Sequence, residues 1–104
     1  QDKDDAKCLL WPIISFSANP TTIKKGDSST LTWNTENIIP ANGDTCTASN
    51  SENYAEWKGN VNPNGSKSVA PAKTTKYTLT CKNSLKEISE SVTIRVQGKP
   101  PIEI

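Results

Sequence analysis

An all-β fold, a sandwich of about seven short antiparallel strands, is what three features of this 104-residue chain predict. The first is composition. Ser, Thr and Asn fill 33 positions, 33% of residues are hydrophobic, and Met and His are absent. Hydroxyl-bearing, β-branched and turn-forming residues stand where a helical bundle would carry Ala, Leu, Glu and Lys. The second feature is period: apolar and polar residues alternate in short runs, and no stretch shows the spacing of an amphipathic helix. The third is punctuation, since clusters of Gly, Pro, Asn and Asp separate the runs at intervals typical of a sandwich. Pattern alone would serve a barrel equally well. At 11.3 kDa and a mean hydropathy of −0.62 the chain has room for one domain with a thin core.

In chain order, residues 1–12 read as a flexible or linking N-terminal segment, 13–97 as the domain and 98–104 as a C-terminal tail. Ile13 to Ala18 alternates, with Ile14, Phe16 and Ala18 on one face and Ser15 and Ser17 on the other. Asn19-Pro20 ends that strand, and Lys24-Lys25-Gly26-Asp27 forms a turn. Ser28 to Asn34 places Ser29, Leu31 and Trp33 inward. A long irregular stretch with Pro40 and Asn42-Gly43 leads to a short strand over Thr45 to Ser49, and Asn, Ser and Gly dominate 50–65 around Tyr54 and Trp57. Ser66 to Ala70 is a brief strand closed by Pro71. Thr75 to Lys82 is the clearest strand, with Tyr77, Leu79 and Cys81 facing in. Ile88 to Val96 turns Ile88, Val92, Ile94 and Val96 inward. Glu90 shares that parity, which predicts a bulge or a late strand start beside it. The expected core is therefore Phe16, Leu31, Trp33, Tyr77, Leu79, Val92 and Ile94.

Charge excludes further classes. Twelve Lys and Arg against eleven Asp and Glu leave a formal charge of +1, with a single arginine, Arg95. A nucleic-acid binder should carry a basic stripe, and the lysines here are scattered. No apolar run approaches the roughly 20 residues that span a bilayer, so neither nucleic acid nor membrane insertion is expected. The opening Gln-Asp-Lys-Asp-Asp suits a mature N-terminus exposed by cleavage.

The runs IISFSANPTTIKKGDSSTLTW (13–33), DTCTAS (44–49), Trp57-Lys58-Gly59, GSKSVAP (65–71), TTKYTLTC (74–81) and SESVTIRV (89–96), taken in this order, resemble a bacterial extracellular immunoglobulin-like domain of the kind repeated in surface proteins and adhesins. Each piece is weak alone; the order makes them specific. The likeness covers about residues 13–96. Stretches 34–44 and 50–64 are longer and richer in Asn than the family's compact pattern, and 1–12 lie outside it. The resemblance implies an immunoglobulin-like β-sandwich, a secreted or cell-surface location and a structural or adhesive role without catalysis. It also implies that Trp33, Cys46, Trp57, Tyr77 and Cys81 are core positions and that Cys46 and Cys81 form a disulfide; two buried free thiols are the alternative. Such a bridge closes a loop of about 36 residues and is worth roughly 3–4 kcal/mol on chain-entropy grounds.

Cys8 is left over. It is a candidate for an intermolecular disulfide or attachment, or else an unpaired thiol or one that pairs elsewhere in a longer parent chain. Leu9 to Ser17, the most apolar stretch, can pair within its own sheet or insert into a neighbouring subunit, which would make the chain the self-assembling unit of a pilus-like filament. Tyr54, Trp57 and Trp11 are candidates for a binding surface that stacks on a surface glycan or anchors a protein; in the alternative, Trp57 packs beneath the long loop and Trp11 caps the sandwich edge. No catalytic residues are expected, because without His neither a Ser-His nor a Cys-His couple can form. Glu52 with Glu56, and Glu87 with Glu90, read as solvated charge. No metal or other cofactor is expected: three cysteines without a CxxC do not make a zinc site, and Asp2, Asp4 and Asp5 lack the turn glycine of a calcium loop. The expected partners are other protein subunits or a surface glycan.

Overall fold

Alternating hydroxyl and apolar side chains give the central strands a wet and a dry face, and two sheets close their dry faces together. The structure, a computed structural model, describes residues 11–97. The strands are β1 (Ile13–Asn19), β2 (Thr22–Lys24), β3 (Ser29–Glu36), β4 (Thr45–Asn50), β5 (Gly59–Val61), β6 (Gly65–Val69), β7 (Thr75–Lys82) and β8 (Glu87–Gln97). One sheet runs β1-β3-β6, the other β2-β8-β7-β4-β5. Single 3-10 turns at Pro40–Asn42 and Ala55–Trp57 interrupt the long connections. No helix among the described residues is long and apolar enough to cross a membrane.

The fold is thus all-β and sandwich-like, with three departures from the sequence expectation. There are eight strands among the described residues, because β2 and β5 are three residues long and too short to show a period. The strands are not all antiparallel: β2 pairs parallel to β8, through Thr22↔Arg95, Ile23↔Val96 and Lys24↔Gln97. The chain reaches β2 by crossing from one sheet to the other at Asn19-Pro20, a cis peptide. Finally, β8 carries no bulge. Its register against β7 is unbroken from Thr75↔Ile94 to Lys82↔Glu87, and Glu90 sits in line, opposite Leu79. Its carboxylate is tolerated on the inward face because it is exposed there.

The N-terminal strand pairs in cis: Ile13 to Asn19 lies antiparallel against Glu36 to Thr30 of β3. Insertion of this segment into a neighbouring subunit would require it to leave that pairing. Residues 1–10, with Cys8, Leu9 and Leu10, and the tail 98–104 lie outside the described residues.

Leu31, Trp33, Val69, Tyr77, Leu79 and Ile94 form the buried core with the cysteine pair and Trp57, and Phe16 and Val92 are half-buried against it. The centre is aromatic. Phe16 stacks on Trp57 at 5.5 Å between ring centroids, and Trp33 meets Trp57 edge-on at 4.8 Å. Cys46 and Cys81 stand directly opposite each other on β4 and β7, Cα atoms 4.0 Å apart, and are joined as a disulfide within one sheet.

Candidate functional site

The strand registers bring five pieces of chain to one end of the sandwich: Trp11 and the start of β1, the end of β3, the β3–β4 connection, the end of β7 and the β7–β8 turn. Every large apolar side chain left exposed among the described residues is here: Trp11 (39% exposed), Ile13 (51%), Ile39 (51%) and Leu85 (39%). Scattered apolar residues on a surface mean little, whereas their gathering at one end makes that end the candidate site.

The backbone of three of them is held by a hydrogen bond with a neighbouring polar side chain. The Asn37 amide donates to the Trp11 carbonyl, at 2.9 Å. The Asp44 carboxylate accepts from the Ile39 N–H, at 2.9 Å. The Asn83 carboxamide oxygen accepts from the N–H groups of Leu85 and Lys86, at 2.8 and 3.0 Å, while its NH₂ donates to the Asn37 carbonyl at 3.0 Å. Asn37 adopts φ 67°, a left-handed conformation that Asn tolerates better than other side chains do. The Lys86 ammonium lies 4.7 Å from the centre of the Trp11 ring, a cation–π contact. Two loops and the incoming chain are therefore tied to one another through side chains rather than left to move independently.

A shallow cavity of about 190 Å³ at this end is lined by Ile39 and Leu85 together with Asn37, Asn42, Asp44, Asn83 and Ser84. A second, of about 200 Å³, runs along β4 and β5 past Ile38, Pro40 and Val61. Among the described residues no group of three or more His, Cys, Asp or Glu side chains is gathered as a metal site would require.

The aromatics singled out from the sequence do not come together. Trp57, a candidate surface residue, is 1% exposed and lies between the sheets, with its indole N–H donating to the Thr78 carbonyl. Tyr54 is half-buried at the opposite end, where its hydroxyl accepts from the Ala72 N–H. Only Trp11 belongs to the exposed apolar surface. A stacking platform for a glycan built on Tyr54 and Trp57 is thus absent.

Ile39, Leu85, Asn37, Asp44 and Asn83 were not singled out from the sequence. The one signal for them is the Asn-rich character of 34–44 and the Asn83-Ser84 pair between two strong strands. Asn50 carries no sequence signal of its role either. Its amide donates to the carbonyls of Tyr54 and Trp57 and accepts from the N–H groups of Glu52 and Tyr54, so one side chain shapes the loop that carries Trp57 into the core. Tyr77 is buried, and its hydroxyl makes no hydrogen bond of good geometry although Glu56 and Thr75 are nearby. Burial first, and then the Glu56 carboxylate, push its pKa above the ordinary phenol value.

Fold and surface together define a disulfide-stapled β-sandwich that displays apolar loop residues at one end. Comparison with protein-family models, with curated proteins and with solved structures finds no match to the chain.

Proposed function

We propose that this chain is a non-catalytic, extracellular immunoglobulin-like module of a bacterial surface protein, structural and adhesive in role, whose loop end contacts another protein. The observation that carries the reading is the confinement of Trp11, Ile13, Ile39 and Leu85 to that end, the backbone of three of them held by the Asn37, Asp44 and Asn83 side chains. A backbone held in place before contact loses less freedom on binding than a mobile one, and this favours affinity. The immunoglobulin-like part of the reading rests on the sheet order, in which the first and second strands of the chain fall in different sheets and the last strand pairs with the second. One feature departs from antibody domains: the disulfide links neighbouring strands of one sheet rather than bridging the two sheets. An extracellular location is supported by the disulfide itself, since such bonds persist in oxidising compartments.

Beads or cells displaying the chain test this. Adherence to host-cell monolayers and to matrix-protein coatings should fall at least several-fold in Ile39→Asp/Leu85→Asp, with circular dichroism unchanged. Equal adherence of parent and variant would remove the loop end from the reading. The filament version makes a separate demand: oligomers seen on non-reducing gels should vanish in Cys8→Ser.

A further inference from the structure

β8 is eleven residues long, and β2 covers only its last three, Arg95 to Gln97. The direction of the backbone groups follows from the hydrogen bonds there. The Arg95 N–H donates to the Thr21 carbonyl and the Gln97 carbonyl accepts from the Lys25 N–H, both on the β2 side, whereas the Val96 N–H turns the other way, to the Thr74 hydroxyl. Strand alternation then points the N–H and C=O groups of Ser89, Ser91 and Thr93 to the β2 side as well. No strand among the described residues pairs with them. A row of unpaired backbone groups is a template for another strand, and the first strand to meet it at high concentration is a second copy of β8.

We propose that Glu90 guards this edge, keeping an otherwise self-complementary strand from pairing with its own copy. Two copies related by a two-fold axis join antiparallel, with the free odd-numbered residues opposite one another and the even-numbered residues opposite one another. In the three registers that pair most of the free groups, Glu90 lands opposite Ile88, Glu90 or Val92 of the copy. One of these sets two carboxylates face to face, and the other two set a carboxylate against an aliphatic side chain; like charges directly opposite destabilise a pair of strands. Glu90 sits on the inward parity, opposite the fully buried Leu79, yet is itself exposed. An inward-pointing charge on a free edge is a known means of preventing edge-to-edge association. The same placement explains why a carboxylate occupies a position where the alternation of β8 would put an apolar residue.

The test is made on the full chain in a Cys8→Ser background, so that Cys8 cross-links do not enter. Glu90→Val should convert a species whose mass by light scattering does not change with concentration into one that rises from 11.3 kDa towards twice that mass. Adding Ser91→Pro, which removes an N–H from the free edge and none from the β7 pairing, should return it to the parent's behaviour. Two results overturn the proposal: a folded Glu90→Val that associates no more than the parent, or association that survives Ser91→Pro. If Glu90→Val does not fold, Glu90→Thr, uncharged and suited to a strand, carries the same two expectations.

Discussion

Tyr77 shows how one atom can oppose the packing around it. Its ring fills the core, while its hydroxyl is buried without a well-formed hydrogen bond. Burying a polar group unpaired costs free energy, so Tyr77→Phe should match or exceed the parent in stability at neutral pH, by up to about 1 kcal/mol, as read from urea unfolding. The pH dependence gives a sharper outcome. In the unfolded chain the phenol loses its proton near pH 10, whereas burial and Glu56 keep it protonated to higher pH in the folded chain. Above about pH 10 the unfolded state therefore binds fewer protons, and stability falls as pH rises, with a limiting slope of about 1.4 kcal/mol per pH unit from this group. Tyr77→Phe should decline less steeply over that range; parallel profiles would show that the hydroxyl is not held neutral. The burial of Tyr77 could be read from the parity of its strand. The work of Asn50 could not, because its four hydrogen bonds reach only groups within seven residues along an irregular loop, and no periodicity encodes them.

At the level of elements, legibility follows length. β7 spans the same residues that its alternation predicts, and β3 falls within two residues of its predicted end, since eight residues are enough to show period two. β2 and β5 offer one inward residue or less, and turn residues surround them. β6 was legible as a strand, but the reason for Gly65 at its start was not. Gly65 faces Trp33 across the pair, and a Cβ built there would lie 3.0 Å from the indole Cζ2. The indole has little room to retreat. Its N–H donates to the Asn62 carbonyl at 2.8 Å, and its ring stands edge-on against Trp57. Gly65→Ala should therefore cost about 1–3 kcal/mol despite the better strand propensity of Ala, in keeping with overpacked cores. Urea midpoints and near-ultraviolet circular dichroism, which reports on the tryptophan pair, check this. A variant as stable as the parent, with an unchanged tryptophan signal, would mean that β6 shifts outward at little cost.

For the whole molecule, the alternation in each strand specifies two faces but not which strands become neighbours. The parallel β2–β8 pair and the gathering of Ile39 and Leu85 at one end arise only from that assembly, so the candidate surface is legible in the sequence through Trp11 and the Asn-rich loop composition, not through its apolar loop residues. Assembly also gives the disulfide a second consequence. Cys46 is the second residue of β4, just after the loop that carries Ile39, and Cys81 is the last but one of β7, just before the turn that carries Leu85. The bridge therefore stands directly beneath both loops and fixes the spacing of the strand ends from which they spring. Above it, Asn83 joins the loops through its bond to the Asn37 carbonyl. Cys46→Ala/Cys81→Ala should lower stability by about 3–4 kcal/mol, from the unfolded-state entropy that the bridge removes. If the bridge also sets the loops, hydrogen exchange at the Leu85 and Lys86 amides, which bond to Asn83, should accelerate under native conditions, where an exposed turn exchanges by local opening and does not sense global stability. Acceleration confined to amides that exchange by global unfolding, such as those in the centre of β7, would mean that the bridge acts on global stability alone, and an unchanged urea midpoint would remove it as a support for the fold.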